Sequence, residues 1–164
     1  MFGNRRSIAL KTLIVCTSVS HGNTKRVADA MAEVLGARVV EPGEITPAEL
    51  AAYDLVGFGS GVFNMNLHPR LREFARSLPS GQQRTAFVFA TSGFPEPPFR
   101  RYLRAFVRLL ESKGFDVADT FRSPGYDTWF PLKLVGGIQK GHPDDTDIEA
   151  ARTFAEGLRT RIAG

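Results

Sequence analysis

The chain has 164 residues, 43% hydrophobic and 23% charged, which suits one soluble globular domain with a single core. No apolar run approaches the ~18 residues of a membrane span, and a single cysteine allows neither an internal disulfide nor a thiolate metal site. The formal charge of +4 favours acidic partners. Without a recognition motif, however, nucleic-acid binding is not expected. We therefore expect a cytoplasmic protein with a tail over residues 1–10 and one domain over residues 11–164.

Short apolar runs alternate with amphipathic segments along the chain. The apolar runs predict five strands, over residues 12–16, 37–40, 55–59, 85–90 and 115–121. Apolar residues at helical spacing predict helices over residues 24–35, 69–78, 98–112 and 145–162, with a short helical turn at 46–49. Local signals support these boundaries. Gly36 is a natural helix end, Thr46-Pro47-Ala48-Glu49 has the form of a capping box, and Asp144, Asp145 and Asp147 complement a helix N-terminus.

This alternation predicts an α/β fold: a three-layer, doubly wound sandwich in which a five-stranded parallel sheet is covered by helices on both faces. In open sheets of this kind, ligands bind beyond the carboxyl ends of the strands, where the strand order reverses. The candidate site is therefore formed by the loops after Cys16, Gly59 and Ala90.

The first of these loops has the composition of a phosphate-binding loop. It offers the hydroxyls of Thr17, Ser18, Ser20 and Thr24, the flexible Gly22, and the amides of a helix N-terminus, and it contains no acidic residue. A phosphate requires converging donors, the positive end of a helix dipole and close approach of the backbone. The motifs Gly-x-x-x-x-Gly-Lys-Ser/Thr and Gly-x-Gly-x-x-Gly do not occur here. The alternative is a polar loop that only caps its helix.

The segment Ile14-Val15-Cys16-Thr17-Ser18, followed by Gly22-Asn23-Thr24 and Ala28, resembles the phosphate signature of the flavodoxin family. The resemblance spans about residues 11–158, although the loop is about one residue longer than usual and His21 replaces a customary hydroxyl residue. It implies the strand order 2-1-3-4-5 with flavin mononucleotide (FMN) at the switch point, for which flavodoxins are themselves the standard example. It assigns the FMN phosphate to Thr17, Ser18, Ser20, His21, Gly22, Asn23 and Thr24.

The other two loops would hold the flavin ring. Residues 57–64 contain alternate glycines, which allow a peptide to change orientation cheaply. By resemblance, Ser60, Gly61 and Val62 contact the flavin and Phe63 covers a ring face, unless Phe63 is an ordinary core residue. The loop after the fourth strand supplies backbone amides to the pyrimidine end of the ring. Its candidate residues are Thr91, Ser92, Gly93 and Phe94.

Four further residues complete the interpretation. Trp129, the single tryptophan, stacks on the flavin, lies at a partner surface, or packs down the long loop that contains it. Cys16 is interpreted as a core residue and His68 as a residue that precedes a helix. Like His68, His21 and His142 are distant in sequence from the other histidines, so no metal site is expected.

The resemblance implies an FMN-binding electron carrier that shuttles electrons between redox partners. The basic charge of this chain predicts a partner protein with an acidic surface. The three loops contain no paired carboxylates, which agrees with chemistry that needs no general acid or base. One alternative is an FMN-dependent oxidoreductase, such as an NAD(P)H:quinone reductase or a protoporphyrinogen oxidase-like enzyme. The basic charge favours this alternative modestly, because flavodoxin carriers are typically acidic. Another alternative is an interaction module of the same fold without flavin.

Overall fold

A computed structural model describes residues 10–18, 22–63, 66–91, 96–123 and 145–163, without the side chains of residues 63, 96–102, 123 and 163. The strands are β1 (Thr12–Thr17), β2 (Arg38–Val40), β3 (Leu55–Phe63), β4 (Asn66–Leu67), β5 (Arg84–Thr91) and β6 (Phe115–Ser123). The helices are α1 (Asn23–Leu35), α2 (Pro47–Leu50), α3 (Pro69–Ser77), α4 (Glu96–Ser112) and α5 (Asp145–Ala163), with a 3₁₀ turn at Pro42–Glu44.

The sheet has the order β2-β1-β3-β5-β6, and each neighbouring pair in this order is parallel. The two-residue strand β4 lies off this path and pairs antiparallel with the end of β3. Counted without β4, the parallel strands follow the order 2-1-3-4-5. The predicted fold class is therefore confirmed.

Helices cover both faces of the sheet. Alternate residues of β1 show the two layers, because Leu13 packs in the same core as Leu71 of α3 and Phe106 of α4, whereas Ile14 packs with Met31 of α1. The α5 residue Ala155 belongs to this second core. Within the described ranges, no helix has the length and apolar character of a membrane span.

The helix boundaries follow the signals in the sequence. Gly36 ends α1 in the left-handed conformation, with φ 64°, and its amide bonds to the carbonyl of Ala32. Before α2, the Thr46 hydroxyl accepts the Glu49 amide at 3.1 Å, and the Glu49 carboxylate accepts the Thr46 amide at 2.9 Å. Both predictions are confirmed, because these signals act within a single turn of chain.

The expectation that the loop begins after Gly59 is wrong for Ser60 to Phe63, because β3 continues to Phe63 and its end pairs antiparallel with β4. Neither Gly57 nor Gly59 has a positive φ. A Cβ at Gly57 would lie 2.3 Å from the ring of Phe87, and one at Gly59 would lie 2.1 Å from the ring of Phe89. The two glycines thus make room for aromatic side chains of the neighbouring strand.

Candidate functional site

Buried hydroxyl residues gather at the carboxyl edge of the sheet. The parallel register places Thr17 beside Ser60 and Gly61 beside Thr91, so the three predicted loops leave neighbouring strands. We call the following four residues the hydroxyl cluster: Thr17 (1% exposed), Thr24 (3%), Ser60 (0%) and Thr91 (5%). The cluster contains no carboxylate, and its members come from β1, β3, β5 and the first turn of α1.

A hydrogen bond joins the first and third predicted loops. The hydroxyl oxygens of Thr24 and Thr91 lie 2.7 Å apart in a buried contact, and either can be the donor. Thr24 belongs to the first turn of α1 and Thr91 is the last residue of β5. Both residues were candidates from sequence, but no pattern in the sequence pairs them. The contact became apparent only from the structure.

The start of α1 combines a glycine turn with a hydroxyl cap. Gly22 has φ 65° and ψ 23°, and its carbonyl accepts the Arg26 amide at 3.1 Å. The Ser18 hydroxyl oxygen accepts the Lys25 amide at 3.2 Å, so the capping interpretation applies to this oxygen. The Ser18 hydrogen can still be donated to another group. Since the first turn of α1 has no acidic residue, its positive end is not neutralised.

Thr17 is the member of the cluster with unused hydrogen-bonding capacity. Its hydroxyl is buried at the end of β1 and has no hydrogen-bond partner among the residues that the structure describes. Burying an unpaired hydroxyl costs about 1–3 kcal/mol. A donor set of hydroxyls and helix amides without carboxylates is chemically suited to a phosphate group.

Ser60 serves the local structure. Its hydroxyl donates to the Gly61 carbonyl at 2.7 Å and accepts the His68 amide at 3.1 Å, which ties the end of β3 to the start of α3. His68 caps α3, because its Nδ1 accepts the Arg70 amide at 3.0 Å, and burial together with Arg70 lowers the His68 pKa. The prediction that His68 precedes a helix is confirmed. Flavin contacts by Ser60, Gly61 and Val62 remain predictions.

Cys16 is a core residue, as expected. It packs beside Ile14 and Met31 on the α1 face of the sheet, and burial raises the pKa of its thiol to about 12. The thiol therefore stays protonated at neutral pH and is a poor nucleophile. In the described part of the chain, no three His, Cys, Asp or Glu side chains gather into a possible metal site.

The remaining predicted contacts lie outside the described residues. These are Ser20, His21, Ser92, Gly93, Phe94 and Trp129. Phe63 ends β3, but its side chain is outside the description as well. Asn23 is the first residue of α1, and its contact with FMN stays a prediction.

Sequence comparison identifies both a family and a relative. The family model for the flavodoxin domain matches residues 14–122. An uncharacterised protein of Methanocaldococcus jannaschii is 36% identical over 151 residues, which covers 91% of this chain and 98% of that protein.

Solved structures with the same fold include flavodoxins and an oxidoreductase. A flavodoxin from the domain Archaea superposes with a TM-score of 0.67 at 16% identity, covering 94% of this chain and all of that one (100%). An NADH:FMN oxidoreductase superposes with a TM-score of 0.60 at 16% identity, covering 93% of this chain and 90% of that one. At such identities the likeness shows the fold alone.

Proposed function

The chain belongs to the flavodoxin family, and from this premise we propose that it binds FMN at the carboxyl edge of its sheet and carries electrons between redox partners. The observation that carries the proposal is the buried 2.7 Å contact between the hydroxyls of Thr24 and Thr91, which joins the start of α1 to the carboxyl end of β5. The buried hydroxyls of Thr17 and Ser60 lie at the same edge of the sheet. Bound FMN would supply the electron-transfer chemistry, and the protein would supply binding and orientation.

The proposed phosphate site is built from the first loop. Thr17, Ser18 and Thr24 donate hydroxyl hydrogens, and the positive end of α1 favours the anionic group. The other proposed contacts of this loop are Ser20, His21, Gly22 and Asn23. Burial of Thr17 and Thr24 would strengthen their hydrogen bonds to the charge, because the surroundings compete less than water does.

The proposed ring site lies between two chain segments at the same edge. Gly61 of β3 pairs with Thr91 of β5, and the proposed ring contacts are residues 60–63 of the first segment and residues 91–94 of the second. The Ser60 bonds to Gly61 and His68 hold the first segment in place. Trp129, which precedes α5 in the sequence, is the proposed aromatic neighbour of the ring.

Binding is tested by titrating the purified full chain with FMN and with riboflavin, which lacks the phosphate. We expect FMN to bind more tightly, and we expect Ser18→Ala and Thr24→Ala to weaken FMN far more than riboflavin. Ser77→Ala is the matched control, because the Ser77 hydroxyl bonds to the Phe74 carbonyl at the far end of α3. A protein that stays colourless with added FMN would overturn the proposal, and equal losses for both ligands would overturn the phosphate site.

A partner protein with an acidic surface is part of the proposal. Arg76 on α3 and Arg104 and Arg108 on α4 are exposed, and none forms an ion pair within the described ranges. Unpaired cations of this kind accelerate association with an acidic surface, and salt screens the effect. The rate of electron exchange with an acidic redox protein should therefore fall as ionic strength rises. A rate independent of salt would argue against the acidic partner.

The net charge of +4 favours a second candidate, an FMN-dependent oxidoreductase acting on a quinone or a porphyrinogen. The two candidates differ in their use of nicotinamide cofactors. Rapid oxidation of NADH or NADPH by the flavin-loaded protein, with a quinone as acceptor, would identify the oxidoreductase. Slow oxidation together with rapid exchange with a redox protein would identify the carrier.

A further inference from the structure

In the hydrogen bond between Thr24 and Thr91, either hydroxyl can be the donor. A bound anion would favour one of the two directions. The oxygens of Thr24 and Thr91 are 2.7 Å apart, and each hydroxyl carries one hydrogen. Only one hydrogen can lie between the two oxygens. The other hydrogen must point to a different group, and both side chains are almost fully buried.

We propose that Thr91 donates to Thr24 when phosphate is bound, so that the Thr24 hydrogen points to the phosphate. Thr91 is then a positioning residue for the phosphate site, although it lies on β5 and outside the first loop. The inference rests on the proposed function and deepens it, because it assigns a phosphate-specific role to a residue of the ring-binding side.

The direction of the bond follows from electrostatics. Thr24 lies in the first turn of α1, at the positive helix end where an anion is favoured. If Thr24 donated to Thr91, its oxygen lone pairs would face the negative charge. In the opposite direction, Thr91, Thr24 and the phosphate form a chain of donors, and each bond polarises and strengthens the next.

Loss of the Thr91 hydroxyl should therefore affect the phosphate more than the ring. Without its donor, Thr24 is free to rotate and to direct its hydrogen elsewhere. We expect Thr91→Val to raise the Kd for FMN about tenfold and to raise the Kd for riboflavin less than about twofold. Thr91→Ser keeps the hydroxyl and should bind both ligands like the wild type.

A double-mutant cycle shows whether Thr91 affects FMN binding through Thr24 or independently of it. Since Thr91 works through Thr24, the Thr24→Val, Thr91→Val double variant should bind FMN no more weakly than Thr24→Val alone. Thr85→Val is the matched control on the same strand, at its other end. It should leave the FMN-to-riboflavin ratio unchanged. If Thr91→Val does not fold, Thr91→Ala carries the same comparison.

Two results would overturn the inference: an unchanged FMN-to-riboflavin ratio in Thr91→Val, or losses that multiply in the double variant. Each of them leaves the proposed function intact as long as the wild type prefers FMN. A wild type that binds neither ligand would overturn the proposed function itself, so the two failures are distinguishable.

Discussion

The two edges of the sheet use their polar groups differently. At the amino edge, the side chains of Asp54 and Gln82 bond to the backbone, although the Thr12 hydroxyl there is buried without a partner among the described residues. The Lys11 amide donates to the Asp54 carboxylate at 3.0 Å, and the side-chain amide of Gln82 donates to the Pro79 carbonyl at 2.8 Å. At the carboxyl edge, Thr24 and Thr91 bond to one another, and the Thr17 hydroxyl has no hydrogen-bond partner among the described residues.

This difference indicates a division of labour. Side chains that bond to the backbone at the amino edge stabilise the fold. Within the described residues, a buried hydroxyl without a partner lowers stability at either edge, as at Thr12 and Thr17, but only at the carboxyl edge does it lie where a ligand could use it. Open parallel sheets bind their ligands at the carboxyl ends of the strands. Substitutions at the amino edge should therefore change stability without changing ligand preference, and substitutions at the carboxyl edge should do the reverse.

Gly114→Ala should give the largest effect and act on the amino edge alone. Gly114 has φ 97°, and a Cβ there would lie 2.7 Å from the backbone nitrogen of Gln82, which cannot move aside like a flexible side chain. We expect a loss of about 3 kcal/mol in the free energy of unfolding. Urea unfolding measures this loss, and flavin titration of the folded fraction should give an unchanged FMN-to-riboflavin ratio.

Gly157→Ala is the matched control for that variant. Gly157 lies in α5 without a positive φ, and a Cβ there would meet no atom within 4 Å. Alanine in a helix should stabilise the protein by about 0.5–1 kcal/mol. If both alanine variants had the same effect, the strain assigned to Gly114 would be absent.

The fold was predictable because its signals are local and repeated. The apolar run of β5 and the helical spacing in α1 each identify an element without knowledge of the rest. The extension of β3 beyond Gly59 was not predictable, because the alternate glycines of this segment indicate a loop when its sequence is considered alone. Gly57 and Gly59 are explained only by the rings of Phe87 and Phe89 on the neighbouring strand. That pairing is a tertiary contact.

The residue types of the site could be predicted from the sequence, but the hydrogen bonds between them could not. The sequence marks Thr24 and Thr91 separately, as a helix start and a strand end. Their hydrogen bond spans 67 residues and depends on β1, β3 and β5 being neighbours in this order. The hydrogen bond from the Lys25 amide to the Ser18 hydroxyl is local in sequence, and the alternative of a loop that caps its helix predicts a bond of this kind.

Thr17→Val should give the largest change in ligand preference. The substitution keeps the shape of the side chain and removes a hydroxyl proposed to donate to phosphate. Since a hydrogen bond to a charged group contributes about 1.5–3 kcal/mol, we expect FMN to bind at least about tenfold more weakly. Riboflavin affinity should change little. Parallel titrations measure both, and a larger loss for riboflavin would place Thr17 at the ring instead.

Cys16, the residue before Thr17, makes the stability of the carboxyl edge depend on pH. Its pKa is raised by burial from 9.0 to about 12, so above pH 9.0 the unfolded thiol ionises while the folded thiol keeps its proton. This contribution to stability is complete below pH 9.0 and is lost as the pH rises towards about 12. At about pH 10, we expect the stability advantage of the wild type over Cys16→Ala to be about 1 kcal/mol smaller than at neutral pH.

Urea unfolding of both proteins at the two pH values measures this difference, because titration of all other groups cancels between them. A constant difference would mean that Cys16 ionises equally in the folded state. The carboxyl edge would then contain an accessible thiolate in addition to its hydroxyls.

Thr12→Val should give the smallest effect, and it is the counterpart of Thr17→Val at the other end of β1. The Thr12 hydroxyl is also buried without a partner in the described part of the chain. Removing it should leave stability unchanged or raise it by about 1 kcal/mol, since no hydrogen bond is lost and an unfavourable burial is relieved. Both FMN and riboflavin should bind as they do to the wild type. The two variants make the same chemical change on the same strand and differ only in position. If Thr12→Val also weakened FMN binding, the loss in Thr17→Val would come from a change to the whole strand and not from its carboxyl end.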